Sequence, residues 1–288
     1  MTRIAIASCC KLRWQKRQPA WTSIMAARPD LLLLLGDTVY MRSEHGWWDH
    51  ADLEDQYRRQ FAVASFKTLT DTVPFMATWD DHDFGPNDAR GAEVEPSLRN
   101  RSRALFHKYM KRAVGLTKPE VYCTHDIGDI RVIMLDVRFY RETADPKRPA
   151  ATLLGRRQEQ WLWRQLDHGK KYTVIGAGST LGGTEKAETW QSYTEFYARF
   201  LDRIARVRNV MVVSGDIHRN KFTDHGGFFE VTSSGVGRPE RKKKPRGAPM
   251  NNYGIIDFGA DAVDVALHGR LRRDKIRRRI VSADWSVS

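Results

Sequence analysis

Five consecutive leucines, Leu31–Leu35, stand between Asp30 and the pair Gly36-Asp37, and they form the longest purely apolar run in the chain. A bilayer span takes about 20 apolar residues, so this run is far too short to cross a membrane. It is also shorter than most helices and is stopped by glycine, so it reads as a core strand. Three more short extended runs, residues 4–7, 73–78 and 210–213, share its plan. Each ends on side chains that carry chemistry. Residues 4–7 lead into Ser8, Cys9 and Cys10; the leucines lead into Gly36, Asp37, Thr38, Val39 and Tyr40. Residues 73–78 lead into Trp79, Asp80, Asp81, His82 and Asp83, with Asn87 and Asp88 close behind. Residues 210–213 lead into Ser214, Gly215, Asp216, Ile217 and His218.

Between these runs the periodicity alternates. Helical spacing covers residues 19–28, which begin at Pro19, and residues 47–66, 97–113, 154–166 and 192–207. Residues 121–127 and 130–135 are separated by Gly128-Asp129, a two-residue hairpin signal. Further strands are expected at Tyr172–Ala177, 228–232, Tyr253–Phe258 and 262–267. The order is alternating strand and helix, then a closing antiparallel meander. It predicts an α/β fold of two packed mixed sheets with helices outside, in one domain over residues 1–288. The basic loop 238–246 and the basic segment 270–279 are its appendages. In that segment a helical period puts Arg272, Lys275 and Arg279 on one face, and a strand there would be unusually charged. Ligand-binding loops in open α/β sheets follow the carboxyl ends of strands, where the reactive side chains above stand.

Composition narrows the class. A 41% hydrophobic fraction with nine Trp excludes a disordered chain, and three cysteines cannot form a disulfide framework. No basic-then-apolar leader precedes the first strand, so a soluble, cytoplasmic protein with no membrane partner is expected. The formal net charge is +13, and more than half of it lies beyond residue 237. Such a charge attracts anions over a long range, so nucleic acid or another polyanion is a candidate partner; a solubilising surface is the plainer explanation. Trp47, Trp48 and Tyr57 are candidates for base stacking, with core packing as their alternative role.

Carboxylates gathered at one edge repel one another unless a cation joins them. Their oxygens suit calcium or manganese, whereas Cys, Tyr and His suit iron or zinc better. The mixed set therefore points to two unlike ions. Each piece alone has an ordinary explanation: Gly-Asp after a strand is commonly a turn, and a single cysteine is commonly a small buried hydrophobe.

Taken in order, Ser8-Cys9, Gly36-Asp37 with Tyr40, Trp79-Asp80-Asp81-His82-Asp83 with Asn87, and Ser214-Gly215-Asp216-Ile217-His218 resemble the PhoD-like (alkaline phosphatase D) branch of the metallophosphoesterases. Residues 135–141, Leu154-Gly155 with residues 160–162, and residues 230–234 extend the resemblance. It implies a four-layer α/β/β/α sandwich and a metal-dependent phosphatase or phosphodiesterase. It implies a ferric ion held by Cys9 and Tyr40 with calcium nearby, manganese or zinc being alternatives. Asp37 would bridge, Asp81 and Asn87 would serve the second ion, and Asp216 and His218 would complete the set. Cys10 is adjacent to Cys9 and stays open as the thiolate ligand, although the spacing from Ser8 favours Cys9. The chain departs from the family's larger members at Thr38, where an arginine is common, and the leader and N-terminal β-domain of those members are not expected in it.

On this reading the substrate is a phosphate ester. His82 is the expected general acid, with Asp83 orienting its ring, unless His82 is itself a ligand. Arg138 is expected to clamp phosphate oxygens or, alternatively, to bridge to Asp136. The rival function is a non-enzymatic binder of nucleic acid or another polyanion with a degenerate metal site.

Overall fold

The computed structural model describes residues 1–12, 18–42, 48–182, 189–237, 250–272 and 275–287. In chain order its main elements are β1 (Thr2–Ala7), α1 (Pro19–Ala26), β2 (Leu31–Leu35), α2 (His50–Phe61), α3 (Ala64–Thr72) and β3 (Phe75–Thr78). Next come α4 (Asp81–Phe84), α5 (Pro96–Tyr109), β4 (Cys123–Ile127), β5 (Ile130–Met134), α6 (Arg156–Leu166), β6 (Tyr172–Ala177) and α7 (Thr194–Ile204). The chain closes with β7 (Val210–Ser214), β8 (Lys221–Asp224), β9 (Phe229–Thr232), β10 (Tyr253–Phe258), β11 (Ala262–His268), β12 (Ile276–Val281) and β13 (Ser286–Val287).

The leucine run shows how the layers arise. Every residue of β2 is buried, yet successive side chains serve different cores, as the two-residue repeat of a strand requires. Leu31, Leu33 and Leu35 pack with Ile4, Met76, Val174 and Met211 between two sheets. Leu32 and Leu34 pack with Trp21, Leu53, Phe66 and Phe106 from the helices on the outer side. A strand covered on both faces has no solvent side, so no polar residue interrupts it. On the far side of the molecule Ile133, Ile175 and Val212 pack against Leu162, Phe196 and Phe200 of α6 and α7. The result is the four-layer α/β/β/α sandwich.

The first sheet has the order β13-β12-β11-β10-β1-β2-β3 and the second β4-β5-β6-β7-β9-β8. Strands β1, β2 and β3 run parallel, as do β5, β6, β7 and β9. Strand β10 pairs antiparallel with β1 and opens the meander β10 to β13.

Three expectations change. Residues 47–66 divide into α2 and α3, and Asp49 caps α2 by accepting from the amides of Ala51 and Asp52. Residues 276–281 form the charged strand and not the helix with Arg272, Lys275 and Arg279 on one face; Ile280 is buried in the core between the sheets and half-buried Ile276 packs against it. Strand β8, half-buried at a sheet edge, was not anticipated. Trp47 and the basic loop 238–246 lie outside the described residues.

Candidate metal centre

The carboxyl ends of strands from both sheets converge. The amide of Cys9, past β1, donates to the Gly36 carbonyl past β2 at 3.3 Å, and the amide of Val236, past β9, donates to the Ser8 carbonyl at 3.2 Å. The amide of Gly215, past β7, reaches the Gly178 carbonyl past β6 at 2.9 Å. Space at this junction is scarce. Gly36 has a φ of 78°, and a Cβ there would lie 2.6 Å from the Asp80 Cβ, so only glycine fits.

Cys9, Asp37, Asp216 and His218 all adopt the left-handed backbone region, with φ of 57°, 55°, 66° and 51°. That conformation is uncommon outside glycine and costs on the order of 1–3 kcal/mol per residue in strained cases. Four such residues at one junction mark a place where side-chain position outweighs backbone comfort.

Two ligand groups result. Donor atoms of Cys9, Asp37 and His218 lie within 4.8 Å of one another, and so do donor atoms of Asp37, Asp81 and His82. Asp37 belongs to both. Its Oδ2 lies 3.4 Å from Cys9 Sγ and accepts from the Tyr40 hydroxyl at 2.6 Å, while its Oδ1 accepts from the His82 amide at 3.3 Å. The Ser234 hydroxyl donates to Cys9 Sγ at 3.0 Å. The His82 and Tyr40 rings are 4.2 Å apart, and His82 Nε2 is 4.0 Å from Asp81 Oδ2.

The electrostatics are those of a bed of buried acids. Burial, then the charges of Asp81, Asp80 and Asp83, push Asp37 well above the usual carboxylate range. Asp80 is pushed up to about 7 by burial, against the opposing pull of Arg138. Burial and the charge of Asp37 raise the Cys9 thiol. Asp80 Oδ2 is buried and has no hydrogen-bond partner. This donor set fits two cations: thiol, phenol and imidazole on one side of Asp37, carboxylate and imidazole on the other.

The remaining residues fall differently from expectation. Cys10 is buried with the core under the helices, alongside Ala7 and Trp21, so Cys9 is the cysteine in the ligand cluster. Asp216 is buried beside Cys9 and Asp80, whose acidities its charge weakens. Asn87 is exposed, and its amide donates to Asp88 at 2.7 Å; it is the amide of Asp88 that reaches Asp81 Oδ2, at 2.8 Å. Asp83 does not orient His82. Its Oδ1 accepts from the amides of Thr38 and Val39 and from the Tyr57 hydroxyl, and its Oδ2 from the amide of Asp80. Arg138 is fully buried, with Nε 2.5 Å from Asp80 Oδ1 and a terminal nitrogen 3.7 Å from Asp81 Oδ1. It therefore balances the acid bed instead of facing a substrate, and Asp136 takes the Arg138 backbone amide at 2.9 Å, not its guanidinium. Tyr57 is buried and stacks on Tyr109, and half-buried Trp48 packs edge-on to Phe84 against the core.

Sequence reasoning missed Lys11. This lysine is 7% exposed, and its ammonium lies 5.2 Å from the centroid of the Tyr40 ring. Its one signal is its position two residues past Cys9. Ser234 was quoted only as part of a motif, and its hydrogen bond to the thiol depends on a crossing between sheets that no local pattern shows.

Comparison with known proteins follows the same lines. The family model for PhoD-like phosphatase matches residues 4–247. Alkaline phosphatase D of Bacillus subtilis (strain 168) is 25% identical over an alignment covering 65% of this chain. The chain spans 38% of the length of that curated relative. Among solved structures, that of PhoD superposes with a TM-score of 0.80 at 16% identity, covering 100% of this chain and 71% of the other. A dimetal phosphatase from Danio rerio gives 0.63 at 14% identity, covering 99% of both chains. A purple acid phosphatase from yellow lupin seeds gives 0.59 at 14% identity, covering 100% of this chain and 52% of the other. At these identities the structural likeness concerns the fold.

Proposed function

The chain belongs to the PhoD-like phosphatase family, and from that premise we propose that it hydrolyses phosphoric esters at a two-metal centre built around Asp37. The observation that carries this reading is the shared carboxylate: Asp37 is the member common to both ligand groups. Cys9 and His218, with Tyr40 at their side, favour iron(III), whereas the Asp81 side favours calcium; manganese or zinc would satisfy the same donors less selectively. When bound, such a pair supplies Lewis acidity to the phosphate oxygens and brings the pKa of a water toward neutrality.

The residues of the chain do the rest. Asp37 holds the two halves of the centre in register. Ser234 donates to Cys9 Sγ and so favours the thiolate that a cation needs. Lys11, close over Tyr40, provides a cation on the substrate side, a role that the family's common arginine cannot fill where Thr38 stands. His82 carries, at Nε2, the proton that the leaving oxygen takes. A second reading of His82 is favoured by its place in the Asp37–Asp81 group: it is itself a ligand. A His82→Gln variant separates the two, because loss of a proton donor flattens one limb of the pH–rate profile at full metal content, whereas loss of a ligand lowers metal content.

Hydrolysis of p-nitrophenyl phosphate and bis(p-nitrophenyl) phosphate, with and without chelator, tests the proposal. Chelator-sensitive release of nitrophenol from either is expected, and the ratio of the two activities sets monoester against diester preference. Chelator-insensitive binding of a polyanion with no hydrolysis of either would favour the rival binding role, which the clustering of donors around Asp37 argues against.

A further inference from the structure

The second basic cluster sits at the edge of the sandwich that carries the metal centre. Strand β11 runs antiparallel to β10, which runs antiparallel to β1, so the β11–β12 turn emerges at the end of the sheet where Cys9 follows β1. Strand β8 runs antiparallel to β9, which brings Lys221 to the same end. Contacts tie the two segments together beside the centre. Asn220, two residues past His218, is buried; its Nδ2 donates to the His268 carbonyl at 2.8 Å, and its Oδ1 accepts from the Ser233 hydroxyl at 3.0 Å. The rings of His268 and Tyr253 stack at 4.7 Å. Further along, the Arg278 guanidinium lies 5.7 Å from the centroid of Phe222.

The result is a ledge that leaves the His218 turn and follows the hairpin outward. Arg219, Arg272, Lys275 and Arg277 are exposed, and the charges of Arg277 and Lys275 act on His268, whose carbonyl Asn220 holds. Asp264, the acid paired across from β12, is bonded to Arg279; Asp274 of the turn lies outside the described residues. Strand β11 is two strand spacings from β1, so the hairpin part of the ledge lies about 10 Å from that strand. A single small ester held at the metals does not reach it.

We propose that this ledge binds the phosphates flanking the scissile one in a linear phosphate polymer, so that the substrate class of the site is an extended polyanion. The proposal rests on the hydrolase reading above. The shared chemistry is a row of phosphates, which a single-stranded oligonucleotide and inorganic polyphosphate both present, and counterion release drives the binding of either.

The test compares the metal-loaded protein with Arg272→Glu/Lys275→Glu/Arg277→Glu and with the corresponding triple Gln variant, each first shown to melt as the parent does. Substrates are bis(p-nitrophenyl) phosphate, a single-stranded oligonucleotide and inorganic polyphosphate. KM for at least one polymer is expected to rise tenfold or more in the Glu variant, with the Gln variant intermediate, while kcat/KM for the small diester stays within twofold. The slope of log KM against log salt is expected to shrink by about 2, from three lost contacts at about 0.7 each. The polymer that responds identifies the source of the phosphates. Equal losses on all three substrates, or unchanged polymer kinetics, would overturn the proposal. If the parent cleaves no ester with its metals loaded, the hydrolase reading fails separately; the ledge is then judged by direct polymer binding, and equal affinity in parent and Glu variant overturns it.

Discussion

Asp37 accepts the Tyr40 hydroxyl on one oxygen and the His82 amide on the other, within reach of Cys9, His218 and Asp81. No other residue belongs to both ligand groups, so Asp37→Ala is expected to remove bound metal and to cut turnover by at least about a thousandfold, roughly 4 kcal/mol of transition-state stabilisation. Lys11 calls for a milder variant. Lys11→Ala is expected to raise KM for a small phosphate ester about tenfold with kcat less affected, and Lys11→Arg to retain most of the affinity; an unchanged KM in Lys11→Ala would remove this lysine from the substrate side. Arg138 is different again, because its fully buried guanidinium faces Asp80 and Asp81. Arg138→Met strands a buried carboxylate and is expected to cost about 3–5 kcal/mol in urea denaturation. The double variant with Asp80→Asn should recover part of that loss.

At the scale of elements, the core strands and most helices were legible because period and burial agree: β2 is apolar on both faces and is covered on both. The ligand-bearing turns were legible because each follows such a strand. Roles inside those turns were not. Asp83 stands next to His82 in sequence, yet the short helix α4 turns its carboxylate back onto the Thr38 and Val39 amides, so it fastens the β2 turn to the β3 turn. Removing it in Asp83→Ala leaves buried amides without an acceptor, at about 1–3 kcal/mol each; a fall in thermal stability of the metal-loaded protein is expected even before activity is measured. Arg138 misled for a similar reason, since its partner Asp80 comes from the other sheet. Strand β12 stayed open between helix and strand because its basic residues fit a helix face and make an unusually charged strand; what settles it is pairing with β11, a long-range contact that local pattern does not show.

For the whole molecule, the sandwich brings strand ends from two sheets to one junction and buries a set of acids there. In the metal-free protein burial pushes Asp80 and Asp83 up to about 7, against the ordinary carboxylate value of about 3.9. A raised carboxyl pKa means that the folded state holds the proton more tightly than the unfolded one. The resulting stability is present below about pH 4 and is lost as pH rises through about 7. Metal-free protein is therefore expected to melt at progressively lower temperature between about pH 4 and 8, and added metal to reverse the trend at neutral pH by replacing protons as the counter-charge. A melting temperature independent of pH in the metal-free state would contradict this picture of the acid bed. Part of the basic excess also acquires a location, because the exposed basic residues of the β11–β12 hairpin stand at the same sheet end as a centre whose own side chains are acidic. Asp37 would hold both cations that the proposed hydrolysis of phosphate esters needs. The most direct test is elemental analysis of the protein purified without added metal, run beside Asp37→Ala and paired with hydrolysis of bis(p-nitrophenyl) phosphate. The account predicts about two metal ions per chain in the parent, loss of metal and of turnover together in the variant, and iron among the ions found. A fully active parent free of metal, or a fully active and metal-replete Asp37→Ala, would contradict it.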